Sequence, residues 1–261
     1  MKFRDNSLDS VGSILILFMI IGHAFQWSHT HDSEVYESLR RFLFFFMAFF
    51  FYKSGMFYHR MSLKDVLIRG LRKFITPFLI YMLLGEIVRW IRLYIQEGDT
   101  NVIHYFLYTF ISVIGRGGPS GNVPLWFLLA LFLTQIVVSI SDKYRVPRIT
   151  LFFVAFLIAG MCAIFQSFSI LEFLPPIIAE TSLGILFFLF GSYMKELQYE
   201  KRVFVVSIIV YLLVVLFIPS YVDFRKGALS NGCWLVWVIS TLAGIIVFIN
   251  VFRPLLSTKN R

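Results

Sequence analysis

Between residues 8 and 252 the sequence is a succession of long apolar blocks joined by short polar segments, a pattern that few architectures can accept. A helix needs roughly 20 apolar residues to cross about 30 Å of hydrocarbon. Eight blocks qualify, near 11–28, 41–59, 74–95, 124–141, 149–166, 177–194, 203–220 and 232–252. With no water to bond exposed peptide groups, only helices and closed barrels span a bilayer. The period-2 alternation of a barrel is absent, and the blocks are too long for its tilted strands. Composition agrees: 58% of residues are hydrophobic, 31 are phenylalanine and only 15% are charged. The sequence therefore predicts an all-α polytopic membrane protein with about eight transmembrane helices, its helices in contact with the lipid bilayer. No repeat or low-complexity tract interrupts it, so a single transmembrane domain over 1–261 is expected.

A net charge of +9 would, in a soluble chain, raise nucleic acid as a partner. Here the charge sits where a membrane protein keeps its cytoplasmic lysines and arginines. With the N-terminus inside, the inner segments hold sixteen of the 24 basic residues, from Lys2 and Arg4 through Arg60, Lys64, Arg69, Arg72 and Lys73 to Arg253, Lys259 and Arg261. The outer segments hold only Arg40, Arg41, Arg116, Arg225 and Lys226. The positive-inside rule then gives both termini on the cytoplasmic side and no nucleic-acid role. The first block starts close to a charged N-terminus without an obvious small-residue cleavage site, so it is expected to stay in the mature protein. Cys162 and Cys233 fall in or at the edge of blocks and read as buried thiols.

Two segments depart from the block pattern. In 60–73, "RMSLKDVLIRGLRK", apolar residues recur near helical spacing with basic residues between them, which suits either a helix lying in the inner interface or a snorkelling linker. In 101–122, the run "VIHYFLYTFISVIG" is short for a span and is followed by the loop "RGGPSGN", whose small residues permit tight turns.

Ionisable and amide side chains inside apolar blocks are expensive and need a reason. They are His23, Lys53, Glu86, Arg89, Gln135, Glu180 and Asn250. At about 1.5 Å per residue, His23 and Glu86 each lie about 18 Å into their blocks, just past mid-membrane, while Lys53 lies in the inner half. Each has an ordinary structural alternative: a packing histidine bonded to a neighbouring helix, a snorkelling lysine, a Glu86–Arg89 pair one turn apart. The outer "HTHD" at His29–Asp32 has no further ligand cluster to complete the four that a structural zinc takes, and no metal is expected.

Four segments together resemble the membrane-bound acyltransferase-3 family. They are "LDSVGSILILFMIIGH", with Asp9 fourteen residues before His23; "FFMAFFFYKSGMF", ending its helix in Ser-Gly; "RGLRKFITPFLIY", a basic entry to a Pro-containing span; and "VPLWFLLALFL". The resemblance runs from Leu8 to about Phe252. It implies an O-acyltransferase of the bacterial plasma membrane that moves an acyl group, typically acetyl, from cytoplasmic acyl-CoA to a hydroxyl of an envelope glycan or lipid-linked sugar. It implies His23 as general base or acyl carrier with Glu86 beside it. Lys53, Arg69, Arg72 and Lys73 would hold the anionic acyl-CoA, and Trp126, Arg89 and Asn122 would meet the glycan acceptor. This sequence carries Gly12 where the family often has Arg, a role then open to Arg4 or Lys53, and Ala48 where many members have Pro. It is shorter than usual, as a short member or one lacking the family's last two spans. Two other classes stay open: an inactive membrane subunit, working as a homo-oligomer or with a partner subunit, and a glycan or lipid transporter. The charge asymmetry is checked by a reporter fused after Arg261, expected to be accessible from the cytoplasm only; an outside-only signal would reverse the orientation.

Overall fold

The computed structural model describes residues 6–27, 34–98, 101–116, 118–119, 123–167, 175–218, 220–224 and 227–257. Among these the chain is nearly all helix. The order is α1 (Asn6–Trp27), α2 (Glu34–Leu43), α3 (Phe46–Met56), α4 (Leu63–Gly70), α5 (Thr76–Glu97), α6 (Val102–Arg116), α7 (Trp126–Lys143), α8 (Arg148–Ser167), α9 (Pro176–Met194), α10 (Lys201–Phe217) and α11 (Trp234–Ser257). Between α10 and α11 a small two-stranded sheet pairs β1 (Tyr221–Asp223) with β2 (Ala228–Asn231).

Among the described residues six helical stretches are long and apolar enough to cross a membrane: Leu8–Phe25, Leu63–Gln96, Trp126–Lys143, Arg148–Gln166, Pro176–Met194 and Trp234–Phe252. The other two apolar blocks give shorter helices. The block at 203–220 forms α10, of 17 residues. The block at 41–59 is broken by a turn at Phe44–Phe45, leaving α3 with 11 residues. The break is held from outside the helix. Tyr211 Oη donates to the Phe42 carbonyl, one of the last-turn acceptors of α2. The Arg41 guanidinium donates to Val215 O at 2.5 Å and Leu216 O at 2.9 Å, carbonyls at the end of α10.

The expected helix over 60–73 does form, but as the start of one stretch that continues into the third apolar block. Ser62 caps it, its Oγ accepting from Asp65 N at 3.1 Å and donating to Asp65 Oδ2 at 2.7 Å. After Gly70 the helix widens into a π turn over Leu71–Ile75 and resumes as α5. Pro77 explains the widening, because it lacks an N–H and its ring presses on the carbonyl four residues back. Thr76 Oγ1 then takes up the Leu71 carbonyl at 3.0 Å.

The chain divides into two compact units, Met1–Tyr58 with Phe187–Val222 and Leu229–Arg261, and His59–Leu186 with Asp223–Ala228. In the first, α1 buries the stripe Leu8, Val11, Leu15 and Phe18, while Ile16, Leu17, Ile20 and Ile21 stay exposed in the manner of a lipid-facing side. Helix α3 is almost wholly buried, and its backbone touches that of α9. A Cβ on Gly55 would run into the Phe188 carbonyl, and one on Gly191 into the Tyr52 carbonyl. Small residues are the usual means by which membrane helices come this close. In the second unit, α5, α6 and the entry to α7 share a cluster of Phe78, Met82, Val113 and Leu125, and Gly70 of α4 admits the ring of Phe132 from α7.

The reciprocal glycine contact makes a direct prediction. Gly191→Ala forces one methyl group into backbone that cannot yield, and is expected to cost about 1–3 kcal/mol as overpacking does, read as a lower midpoint in detergent thermal unfolding. An unchanged midpoint would contradict the close approach.

Candidate active site

Asp9 and His23 lie fourteen residues apart on α1. At 100° and 1.5 Å per residue they sit within about 40° of one face and about 21 Å apart along the axis. His23 is half-buried. At the Asp9 end, Lys53 Nζ from α3 pairs with Asp9 Oδ1 at 2.9 Å and also donates to Leu8 O at 3.2 Å. The lysine amine sits over Gly12, where an added Cβ would stand 3.6 Å from Nζ. Lys53 is thus an ion-pair partner and not a snorkelling side chain reaching only for water. Its side chain is 27% exposed and that of Asp9 37%, so both keep some contact with solvent.

Helix α3 runs antiparallel to α1. Asp9 meets Lys53 at one end, and Phe18 meets Phe46 edge-on at 5.3 Å nearer the other. His23 is five residues beyond Phe18, about 7.5 Å further toward the end from which α2 enters. At that same end of the unit a cavity of about 380 Å³ opens, walled by Ser38, Arg40, Arg41, Ser220, Tyr221 and Asn231 among others. The Arg40 guanidinium lies 4.7 Å from the centre of the Tyr221 ring. Hydroxyls, an amide and a stacked Arg–Tyr pair form the kind of wall that meets a polar, ring-shaped ligand.

In the second unit Glu86 of α5 is 1% exposed. Tyr105 of α6 donates to its Oε2 at 2.7 Å, and Arg89 Nη1 stands 3.8 Å from the same oxygen. The guanidinium of Arg89 also lies 5.9 Å from the Tyr105 ring centre. Trp126 is buried and stacks on Phe224 at 5.9 Å. Gly118 and Pro119, of the loop after α6, are buried as well; a Cβ on Gly118 would stand 2.9 Å from Trp126 Cβ. Arg69, Arg72 and Lys73 are exposed on successive turns of α4 and the π segment, Arg69 resting on Met61 Sδ at 3.3 Å. Asn122, and His29–Asp32, lie outside the described residues. Cys162 is a buried free thiol and Cys233 an exposed one. Among the described residues no group of three His, Cys, Asp or Glu side chains gathers as a metal site.

A family model described as an acyltransferase domain, that of the acyltransferase-3 family, matches residues 5–259. The chain belongs to the acyltransferase-3 family. It is a membrane acyltransferase. Comparison with curated proteins and with solved structures returns no match.

In this acyltransferase the residues singled out from sequence fall into separate groups. His23 and Lys53 belong to the first unit, with Asp9 as the residue that joins them to one helix face. Glu86, Arg89 and Trp126 belong to the second, where Glu86 organises Tyr105 and Arg89. Sequence reasoning missed Gln198, which is fully buried. Its Oε1 accepts from Tyr52 Oη at 2.8 Å, its Nε2 donates to Lys195 O at 3.1 Å, and its carbonyl accepts from Asn250 Nδ2 at 2.8 Å. Asn250, flagged as an intramembrane amide, finds its purpose there. Tyr105 and Tyr221 were also missed, since nothing in the chain distinguishes them among 12 tyrosines.

The Glu86 arrangement predicts that Tyr105→Phe, by removing one bond to a buried carboxylate, lowers stability by about 1–3 kcal/mol. Glu86→Gln, which can still accept from Tyr105, should lose less. Equal melting points for Tyr105→Phe and the wild type would show that the bond contributes nothing.

Proposed function

We propose that this acyltransferase moves an acyl group, such as acetyl, from acyl-CoA to a hydroxyl of an envelope glycan or lipid-linked sugar, with His23 as the general base. The observation that carries this reading is that His23 stands on α1 toward the end of its unit where the polar Arg40–Tyr221 cavity opens, in a chain of the acyltransferase-3 family. In the reaction the acceptor hydroxyl oxygen attacks the thioester carbonyl carbon while His23 takes the hydroxyl proton. The C–S bond then breaks, an ester is left on the sugar, and the thiolate leaves with the proton returned by the imidazolium. Imidazole suits this, because one ring nitrogen can take up a proton and give it back. A variant of the same scheme passes the acyl group through the His23 nitrogen before the sugar takes it.

Lys53, held on Asp9 over Gly12, supplies in this reading the basic group that the family often places on α1 itself. Arg69, Arg72 and Lys73 face the anionic donor. Glu86 is, in this reading, the carboxylate that favours the imidazolium, and Trp126, Arg89 and Asn122 border the acceptor route. The same reading sets the protein in a bacterial plasma membrane, the donor arriving from the cytoplasm and the acceptor from outside.

His23→Ala tests it. Transfer per folded molecule should fall by roughly 10²–10⁴-fold, as on losing a general base, with the melting temperature preserved. A folded His23→Ala protein of full specific activity would sink the catalytic assignment and favour a partner-dependent subunit.

A further inference from the structure

A second concave site lies in the other unit, at the start of α4, and none of the residues assigned so far explains it. It is a cleft of about 480 Å³ walled by Arg60, Met61, Ser62, Leu63 and Lys64 on one side and Ser139, Asp142 and Lys143 of α7 on the other. Its volume is that of a small-molecule site, which runs from roughly 300 to 1,000 Å³.

The charge in the cleft does not balance. Asp142 is the one acid in its wall, and it is already shared by two arginines: Arg60 Nε stands 3.6 Å from Oδ1 and Arg148 Nη2 3.4 Å from Oδ2. Lys64 and Lys143 are exposed and have no carboxylate within ion-pair distance among the described residues. The nearby Asp65 is turned back onto Ser62, the cap of α4, whose hydroxyl donates to its carboxylate. Positive charge scattered over a cytoplasmic surface needs no ligand. Two uncompensated lysines in a concave wall form a trap for an anion.

The second observation is independent of charge. Ser139 is 1% exposed, and its Oγ has no hydrogen-bond partner among the described residues. A buried hydroxyl left unbonded costs about 1–3 kcal/mol, and helical serines ordinarily avoid this by bonding to a carbonyl one turn back. Ser139 does not, and it forms part of the cleft wall. A ligand oxygen would satisfy it.

We infer that this cleft binds phosphoryl groups, and that it takes them from the nucleotide portion of the acyl donor. The identity of the donor rests on the function proposed above; the anion site itself does not. The side chains that grip the donor's phosphates are then Lys64, Lys143 and Ser139, with Arg60 at the rim. Arg69, resting on the lining residue Met61, borders this cleft from the neighbouring turn.

The test is direct binding of adenosine 3′,5′-bisphosphate to the purified full-length protein in phosphatidylcholine nanodiscs. The bisphosphate should bind and raise the melting temperature, and adenosine should not compete. Lys64→Gln/Lys143→Gln should weaken binding by roughly tenfold or more, the scale of losing charge-assisted bonds, while leaving the unliganded melting temperature unchanged. Ser139→Ala should weaken it less. Lys201→Gln/Arg202→Gln, an exposed basic pair on α10 outside the cleft, should leave affinity unaltered. Equal affinity in Lys64→Gln/Lys143→Gln, or equal weakening by both double variants, would overturn the proposal. So would a bisphosphate that has no effect on a protein stabilised by phosphatidylglycerol nanodiscs, which would make the site one for a lipid headgroup. Binding needs no turnover, so a protein that binds the bisphosphate as expected but transfers no acyl group would count against the proposed reaction alone.

Discussion

One turn of α3 fixes the first unit. Gly55 lets the backbone of α3 rest on Phe188 of α9, and Gly191 returns the contact on Tyr52. From the turn held in that way, Tyr52 donates to Gln198, Met56 Sδ accepts from the same amide, and Lys53 leans over Gly12 to reach Asp9 on α1. Lipid tails offer helices no hydrophobic reason to associate, so close packing and hydrogen bonds between helices have to hold them together. Here both act within five residues. The side chain that a bilayer would least tolerate, Lys53, is placed by the tightest backbone contact in its neighbourhood.

The consequence for function passes through α1. The buried stripe of the helix that carries His23 is Leu8, Val11, Leu15 and Phe18, the last edge-on to Phe46, and its opposite side is exposed. Aliphatic packing tolerates small rotations, whereas an ion pair with a second bond to the Leu8 carbonyl does not. The Asp9–Lys53 pair thus joins the Phe18–Phe46 contact in holding the face of α1 on which His23 stands. At the other end Arg41 and Tyr211 tie the break between α2 and α3 to α10, which shapes the Arg40–Tyr221 cavity.

Much of this was legible in the sequence because membrane helices are announced by length and apolarity alone. His23, Lys53 and Glu86 stood out for the same reason: each is an ionisable residue in an apolar run. What the sequence concealed were features decided by partners distant in the chain. The Phe44–Phe45 break lies inside an unbroken run of phenylalanines, and only Arg41 and Tyr211 reveal why a helix stops there. Gln198 sits in "KELQYEK", which reads as a solvated loop, yet it is fully buried and joins α3 to α11. Pro77 marked a helix irregularity without saying that a π turn would absorb it and keep the interfacial segment in line with the next span. Ser139 looked like any small residue on an apolar helix, and only the cleft beside it makes its hydroxyl informative.

The central claim is that the Asp9–Lys53 pair acts as one device to hold α1 and its histidine. A double-mutant cycle measures this most directly, comparing acyl transfer per folded molecule in Asp9→Asn, Lys53→Met and the double variant. If the pair works as a unit, the double variant loses no more than the worse single one, and the coupling falls in the range of roughly 0.5–3 kcal/mol seen for residues in contact. Losses that simply add would show two independent residues, and would contradict the account.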